Sequence, residues 1–500
     1  MGCGVAAAIN LDSYTSDKTF FINAFLLEES KNRGQQATGC SIYNQGNLKR
    51  YIGKGLPSEV FDREFLLKKD LEGEVGIGHV RYATLGPDEL ENAHPVRLQK
   101  EGYILDLAMN GEISEHYIWR DRLEKERLEF NGSNNDTSTL AGLLLEKYIS
   151  SGKPLKALGE WYDEIFDYGG VTVVGILQDL NKEKDYMIYA RDGIRPLSEG
   201  LFESEFGKHR VFASESSPLE KLGARDITEV PGGTIGVYDI ISNSFESLQK
   251  NRSKPLCFFE IVYEMRPDSM VWGKPVASLR NLLGWSLKYE HPKNEGSIVA
   301  GVPRSGLSYA EGYSREAQEL IVKDPSAKYS RIFMISPEKQ SRTDKAKRSF
   351  SIIQNLEGKT ITIVDDSIVR YNNLPVLANL LREKGASEVH ARIGSPPIVG
   401  PCHSGVDTHK KELIVNQLGL DPRETMMDHT KLEEKLRNFK HPELGFVKLD
   451  SAGYLSVDGA KKICGSDCCY GCIETHYPYH FKGMEPNFRF IPVKEVRKTL

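Results

Sequence analysis

The stretch TITIVDDSIVR, residues 360–370, joins a buried strand to a polar loop and decides the fold of the second half of the chain. Its first five residues are all β-branched, which is typical of the fully buried strands of parallel sheets. Asp365 and Asp366 follow directly. Ligands of open parallel sheets bind beyond the carboxyl ends of the strands, so this aspartate pair falls where a ligand is expected.

The segments around this stretch alternate between strand and helix. Residues 297–302 and 388–393 predict two further buried strands, and residues 374–384 predict a helix that Gly385 ends. Strand–helix–strand spacing of this kind predicts parallel strands joined by crossover helices. The second half is therefore expected to be an α/β domain.

The first half reads as a sheet-rich α+β domain. Short apolar runs such as residues 170–177 and 233–238 predict strands, and a helix is predicted over 138–148, with Asp136 or Thr137 as its cap. A chain of 500 residues is too long for one hydrophobic core. The polar segment at residues 251–255 places the predicted domain boundary, giving domains 1–250 and 251–500.

Composition excludes several classes of partner. The chain is 39% hydrophobic and 27% charged, with a formal net charge of -5, which gives no sign of nucleic-acid or acidic-membrane binding. No apolar run approaches the roughly 18 residues needed to span a bilayer, and the first residues lack the basic region of a signal peptide. We therefore expect a cytoplasmic protein with neither a nucleic-acid nor a membrane partner.

The first half carries an ordered set of motifs that begins with Cys3. It continues with NRGQQATG (32–39), GIGHVRYATLG (76–86), AHPV (93–96), MNGE (109–112) and NDTS (135–138). In this order and spacing the motifs resemble the class II glutamine amidotransferases, over residues 3 to about 240. The resemblance implies an N-terminal-nucleophile αββα sandwich, the type of fold in which a terminal cysteine hydrolyses the amide of glutamine.

The resemblance also implies the catalytic groups. Cys3 would be the nucleophile, with its own free α-amino group as base, since the pKa of that group lies near 8. Asn110 and the backbone N–H of Gly111 would form the oxyanion hole. Taken alone, Asn110-Gly111 would read as a hairpin turn and Cys3 as a buried small side chain.

Three charged residues would bind the substrate glutamine. Arg81 would pair with its α-carboxylate, Asp136 would hold its α-ammonium, and Arg33 would help to order the site. Singly, Arg81 could be a surface residue and Asp136 a helix cap. The functional interpretation rests on the whole ordered set.

Further motifs extend the resemblance to the amidophosphoribosyltransferase family over nearly the whole chain. They lie at residues 191–197, 212–216, 257–269, 363–370, 395–402, 405–408 and 453–457. The resemblance implies a type I phosphoribosyltransferase-like second domain. Asp365 and Asp366 would hold the ribose hydroxyls and Mg²⁺, while Ser367, Arg370 and Ser305 would bind the phosphates of phosphoribosyl diphosphate.

The sequence departs from the family pattern in four places. Gly2 precedes Cys3, so Cys3 has no free amine while Gly2 is attached. Three explanations are open: a short propeptide is removed by self-processing, the Met-Gly start is an artefact, or the glutaminase is impaired. Tyr371-Asn372-Asn373 replaces Gly-Thr-Thr in the phosphate loop, and Arg304 replaces an aspartate in the pyrophosphate loop. The flexible catalytic loop, residues 331–348, keeps only scattered matches. The Tyr371 side chain is expected to add bulk where the backbone approaches the phosphate.

The cysteines predict a metal site. By resemblance, Cys257, Cys402, Cys469 and Cys472 would hold a structural [4Fe–4S] cluster, and zinc would accept the same four thiolates. Cys464 and Cys468 are additional candidates.

The sequence therefore predicts a glutamine-dependent enzyme that makes 5-phosphoribosylamine from phosphoribosyl diphosphate and glutamine, the first step of purine synthesis. A homo-oligomer is expected. Two alternatives stay open, and both are favoured by Gly2 and the 371–373 loop. One is a divergent paralogue that delivers ammonia to another acceptor. The other is a catalytically silent regulatory homologue.

Overall fold

The fold is taken from a computed structural model, which describes residues 2–12, 18–82, 90–205, 207–323, 350–408, 410–441, 444–481 and 489–490. The altered catalytic loop at 331–348 and part of the 76–86 motif lie outside these ranges.

Two antiparallel sheets make up the middle of the first half. Their strands are β1 (Gly4–Asn10), β2 (Ala37–Asn44), β3 (Asn47–Lys54), β4 (Val75–Arg81), β5 (Val96–Lys100), β6 (Tyr103–Glu112), β7 (Gly170–Asp179), β8 (Lys184–Arg191), β9 (Ser198–Ser204), β10 (Gly207–Ala213), β11 (Arg225–Glu229), β12 (Thr234–Asp239) and β13 (Ser244–Gln249). One sheet has the order β11-β9-β10-β1-β4-β2-β3 and the other β13-β12-β8-β7-β6-β5. Strand β1 is buried along its whole length because both faces of its sheet are covered.

Helices cover the outer faces of both sheets. They are α1 (Lys18–Glu29), α2 (Pro57–Val60), α3 (Arg63–Lys68), α4 (Tyr117–Lys125), α5 (Asp136–Ser151), α6 (Pro154–Ile165) and α7 (Ser216–Leu222). Helices α1 and α7 contact the first sheet, and α5 and α6 contact the second. Side chains from both sheets, including Val5, Ile77, Val174 and Met187, share one core between them. The predicted αββα sandwich is confirmed.

The second half is built on a parallel sheet. Its strands are β14 (Met270–Val271), β15 (Lys274–Pro275), β16 (Ile298–Gly301), β17 (Ile321–Lys323), β18 (Phe350–Ile352), β19 (Thr360–Asp365), β20 (Glu388–Ile393), β21 (Asn438–His441), β22 (Gly445–Lys448), β23 (Ser451–Tyr454), β24 (His476–Tyr477) and β25 (Arg489–Phe490). The main sheet has the order β16-β19-β20-β23, with every pair parallel. Asp365 ends the second strand of this sheet, as predicted.

Crossover helices flank this sheet. They are α8 (Val276–Glu290), α9 (Leu307–Tyr313), α10 (Asn373–Glu383), α11 (Ile414–Gln417), α12 (Pro422–Met427), α13 (Thr430–Arg437), α14 (Val457–Cys464) and α15 (Gly471–Glu474). Gly385 follows α10 with φ +94°, a backbone conformation that favours glycine, which explains why the helix ends there. Among the described helices, none is both long and apolar enough to cross a membrane.

Candidate active site

Cys3 lies directly before β1, a strand in the middle of the first sheet. Its Sγ lies 3.3 Å from both the backbone N and the backbone O of Tyr82. Burial raises the pKa of the Cys3 thiol, and the Tyr82 backbone and Arg81 only partly oppose that shift. The resting thiol is therefore neutral, and attack on an amide requires a base.

Asn110 and Gly111 lie within strand β6, so the hairpin-turn interpretation is excluded. Among the described residues, Oδ1 and Nδ2 of Asn110 are buried without a hydrogen-bond partner. Gly111 has φ +144°, and a Cβ there would lie 1.9 Å from the carbonyl oxygen of Gly170. Glycine is thus required here, and the unsatisfied Asn110 amide can donate to an oxyanion.

Gly2 is packed against this amide. A Cβ on Gly2 would lie 2.9 Å from Asn110 Oδ1 and 3.0 Å from Glu264 Oε2. Gly2 therefore lies beside the predicted oxyanion hole, where a larger residue would clash with the Asn110 amide.

Two of the three charged residues predicted to bind glutamine, Arg81 and Asp136, are buried. Arg81 ends β4 and is 3% exposed, so it is not a surface arginine. Asp136 begins α5 and accepts hydrogen bonds from the N–H groups of Ile113 (2.9 Å) and Thr137 (2.8 Å). Burial raises the pKa of Asp136, although His116 opposes the shift. A bound ammonium group would stabilise the charged carboxylate.

The cap of α5 differs from the prediction. Asn135, and not Asp136 or Thr137, precedes the helix and accepts a hydrogen bond of 2.8 Å from the N–H of Ser138. The Asp136 carboxylate contacts both the first turn of α5, through the N–H of Thr137, and the end of β6, through the N–H of Ile113.

The Arg33 guanidinium is occupied by protein groups. Its Nε donates to the carbonyl oxygen of Cys3 (2.8 Å), and its two terminal nitrogens pair with Glu215 (2.8 Å) and Glu260 (2.6 Å). Arg33 therefore holds the backbone of the predicted nucleophile, and a contact with glutamine stays a prediction. The sequence alone does not show which carboxylates surround an arginine.

Arg33 belongs to a buried charge cluster that joins the two halves of the chain. We define this cluster as Arg33, Arg195, Glu215, Glu260 and Glu264, each at most 2% exposed. Arg195 pairs with Glu260 and Glu264, both at 2.9 Å, and also donates to the carbonyl oxygen of Ser404. This cluster was not predicted from the sequence. One feature of the sequence could have indicated it: Glu260 and Glu264 lie four residues apart within an apolar run.

The phosphoribosyl-diphosphate residues converge at the end of β19. The Asp366 carboxylate accepts hydrogen bonds from Ser367 Oγ (2.6 Å) and from the Ser305 hydroxyl. Burial, and for Asp365 the neighbouring Asp366, raises the pKa of both carboxyl groups. Two adjacent buried carboxyl groups suit a hard cation such as Mg²⁺, because the cation would stabilise their ionised form. They could equally accept hydrogen bonds from the hydroxyls of a ribose.

These residues line a cavity of about 480 Å³ that lies between the two halves. Its walls include the loops at 302–305, 365–374 and 406–408, and also Asn32 and Gln35 of the first half. Arg304 lines it too, as expected for the pyrophosphate loop.

Tyr371 also differs from the prediction. Its backbone has φ +58°, but its ring is 3% exposed, packs edge-to-face on Phe439 and donates from its hydroxyl to the carbonyl oxygen of Leu436. The core beneath the loop takes up the bulk of the ring, so this side chain does not fill the phosphate loop as we had expected.

Arg370 links the cavity to the residues that are predicted to bind the substrate glutamine. It pairs with Asp407 (3.1 Å) and with Glu412, and the hydroxyl of Tyr82 donates to Asp407 (2.7 Å). Because Tyr82 follows Arg81 and contacts Cys3, this is a direct path between the two sites. This chain of contacts was not predicted from the sequence, since Asp407 and Tyr82 are far apart in the chain.

The four predicted cysteines come together. Cys257 pairs with Cys469 in a short parallel bridge, and N–H groups of Val399 and Gly400 donate to the carbonyl oxygen of Cys472. Burial raises the pKa of the thiols of Cys257, Cys469 and Cys472, and nearby Cys402 adds to each shift. Cys464 and Cys468 form a separate contact, with the Cys468 thiol donating to the carbonyl oxygen of Cys464.

Four cysteines gathered in this way fit either of two metal groups. A [4Fe–4S] cluster and a zinc ion both take four thiolate ligands.

Comparison with known proteins agrees with this geometry. The chain is 31% identical over 486 residues to the amidophosphoribosyltransferase of Methanothermobacter thermautotrophicus, covering 95% of this chain and 94% of that one. It is 33% identical to the Bacillus subtilis amidophosphoribosyltransferase, covering 91% of each.

A solved structure gives the same result. The glutamine phosphoribosylpyrophosphate amidotransferase of B. subtilis, in complex with ADP and GMP, matches with a TM-score of 0.76 and 29% identity, over 96% of this chain and 98% of that one. No protein-family model matches the chain.

Proposed function

This chain belongs to the amidophosphoribosyltransferase family, and we propose that its two sites divide the reaction between them. The enzyme makes 5-phosphoribosylamine from glutamine and phosphoribosyl diphosphate, the first step of purine biosynthesis. In our proposal, residues 1–250 release ammonia and residues 251–500 bind the acceptor. The observation that carries this division is the cavity of about 480 Å³, which holds the aspartate pair and has Asn32 and Gln35 in its wall.

In the first site, Cys3 attacks the amide carbon of glutamine. Its α-amino group takes the thiol proton and returns it to the leaving nitrogen, so that ammonia departs and a thioester forms. Water then hydrolyses the thioester to glutamate. Asn110 Nδ2 and the Gly111 N–H stabilise the oxyanion in both steps.

In the second site, Asp365 and Asp366 hold the ribose hydroxyls of phosphoribosyl diphosphate. N–H groups of the loop after Ser367 bind the 5-phosphate, and the Ser305 loop binds the pyrophosphate. Mg²⁺, when bound, neutralises the charge on the departing pyrophosphate. Ammonia forms the new bond to the anomeric carbon as the bond to pyrophosphate breaks.

Binding of phosphoribosyl diphosphate tests the acceptor assignment. The buried Tyr371 ring is best left in place, so we expect the double variant Asn372→Thr/Asn373→Thr to tighten binding by about tenfold, the value of one charge-assisted hydrogen bond. Calorimetry with Mg²⁺ measures this, and Asn379→Thr on the same helix is the matched control. If the native chain and the double variant both bind none, the acceptor is different. The alternative of a divergent paralogue that delivers ammonia to another acceptor then takes its place.

Active protein is expected to begin at Cys3. The α-amino base exists only after the residues before Cys3 are removed, and Gly2 lies beside Asn110. Intact-mass measurement of active enzyme should show a chain that starts at Cys3. Robust glutaminase activity in protein that still carries Gly2 would contradict this.

We propose a [4Fe–4S] cluster on Cys257, Cys402, Cys469 and Cys472. Anaerobically purified protein is expected to contain close to four irons and four sulfides per chain. Cys472→Ser should lower both, whereas Cys40→Ser, a buried cysteine of the other domain, should not. Stoichiometric zinc without iron would show that the cysteines hold the other metal.

Two further properties are proposals on narrower grounds. All eight cysteines are free thiols, which suits a reducing compartment such as the cytoplasm.

Helix α8 exposes Leu282, Trp285 and Tyr289 along one face, an apolar stripe that a second copy of the chain would cover in a homo-oligomer.

A further inference from the structure

A group of three side chains lies outside both active sites and has no part in the proposed reaction. His291 follows the last residue of α8, His429 precedes the first residue of α13, and Glu433 lies one turn further along that helix. One ligand atom from each lies within 4.8 Å of the others. None of the three lines the cavity between the halves.

The backbone at the end of β23 holds these side chains in place. The Glu433 carboxylate accepts a hydrogen bond of 3.0 Å from the N–H of Tyr454, and His291 Nε2 lies 2.9 Å from the carbonyl oxygen of the same residue. The His291 ring lies against Gly453, where a Cβ would come within 2.5 Å of Nδ1. Any larger residue than glycine would displace the imidazole.

We propose that His291, His429 and Glu433 bind a divalent cation of the zinc class, which fastens α13 to α8 and β23. Two imidazoles and one carboxylate form a ligand set that zinc prefers. The carbonyl oxygen of Tyr454, already close to His291, offers a fourth ligand atom.

The distances agree with this coordination. Zinc bonds of about 2.0 Å in a tetrahedron place neighbouring ligand atoms about 3.3 Å apart. His429 Nε2 lies 3.4 Å from Glu433 Oε1, close to that spacing, and one ligand atom of His291 lies within 4.8 Å of both. Rotation of the side chains can bring the three atoms together.

Charges of both signs surround the three side chains. Asp428 and Glu290 add negative charge near His429. The Arg392 guanidinium adds positive charge near His291 and Glu433.

Cobalt(II) is the probe, because its visible absorption reports its ligands. The full-length protein with its cysteine site loaded with iron and sulfide is titrated with Co²⁺ under anaerobic conditions, and zinc is then added. We expect one Co²⁺ per chain, with d–d bands but no thiolate-to-cobalt charge-transfer band, and full displacement by zinc. No binding, or a band that shows thiolate ligation, would overturn the proposal.

Variants locate the ion. Glu433→Gln and His429→Gln should each weaken Co²⁺ binding by about a hundredfold or more and should remove the rise in Tm that zinc gives the native chain. His390→Gln is the matched control, since His390 is a buried histidine of the same sheet that bonds Ser451 and Asn294. Native affinity in both test variants would mean that the three side chains only form a hydrogen-bonded contact. If one variant fails to fold, the other and the native cobalt spectrum still decide.

Discussion

Replacing Cys3 with alanine is expected to abolish glutamine hydrolysis while leaving the use of free ammonia intact. Without the sulfur no thioester forms, so glutamate release should fall at least about a thousandfold. The acceptor residues Asp365 and Asp366 lie in the other half of the chain, so synthesis of phosphoribosylamine from ammonium salts should continue at the native rate.

Two activity assays on one preparation make this measurement. Glutamate release reports the first site, and pyrophosphate release in high ammonium reports the second. Cys40→Ser is the matched control, because Cys40 is a buried thiol of the same domain that accepts a hydrogen bond from Asn23 and lies away from the site. Equal losses of both activities in Cys3→Ala would mean that the two sites are not separable as proposed.

Replacing Arg33 with methionine is expected to destabilise the protein strongly. Arg33 is fully buried and pairs with Glu215 and Glu260, so its removal leaves buried carboxylates without their partner. Breaking such a pair costs about 3–5 kcal/mol, whereas an exposed pair contributes about 1 kcal/mol or less. Because Arg33 also holds the carbonyl oxygen of Cys3, glutamine hydrolysis should fall too.

Urea unfolding of the native chain and the variant gives the difference in the free energy of unfolding. Arg122→Met serves as the control, since Arg122 forms an ion pair of 3.0 Å with Glu146 while its side chain is 44% exposed. A loss below about 1 kcal/mol for Arg33→Met would show that the buried charge cluster does not hold the halves together.

Local patterns predicted most of the fold. Residues 388–393 form a strand with the predicted bounds, and the helix predicted over 374–384 occupies 373–383. Both segments have unbroken apolar patterns with a glycine at a turn, so their sequence and their environment agree. The place of β23 in the parallel sheet was missed, because a chain segment of more than fifty residues separates it from β20.

Residues whose position follows from a single local motif could be located from the sequence. The contacts of residues whose partners are distant in the chain could not. Asn110 and Asp366 lie where their motifs placed them, on the ends of strands that face a cavity or the nucleophile. The ion pairs of Arg33 were not predicted, because the two glutamates that it contacts lie more than 180 residues away in the chain. The Tyr371 ring was placed in the phosphate loop because its packing against Phe439 depends on tertiary structure.

The central claim, that one chain transfers ammonia from glutamine to phosphoribosyl diphosphate, is tested most directly by following the amide nitrogen. Protein that begins at Cys3 is given glutamine labelled with ¹⁵N in its amide group, with and without phosphoribosyl diphosphate and Mg²⁺. The account predicts that the acceptor speeds glutamate release and that phosphoribosylamine carries the label even in a large excess of unlabelled ammonium. Glutamate release that ignores the acceptor, with no labelled phosphoribosylamine, would contradict it.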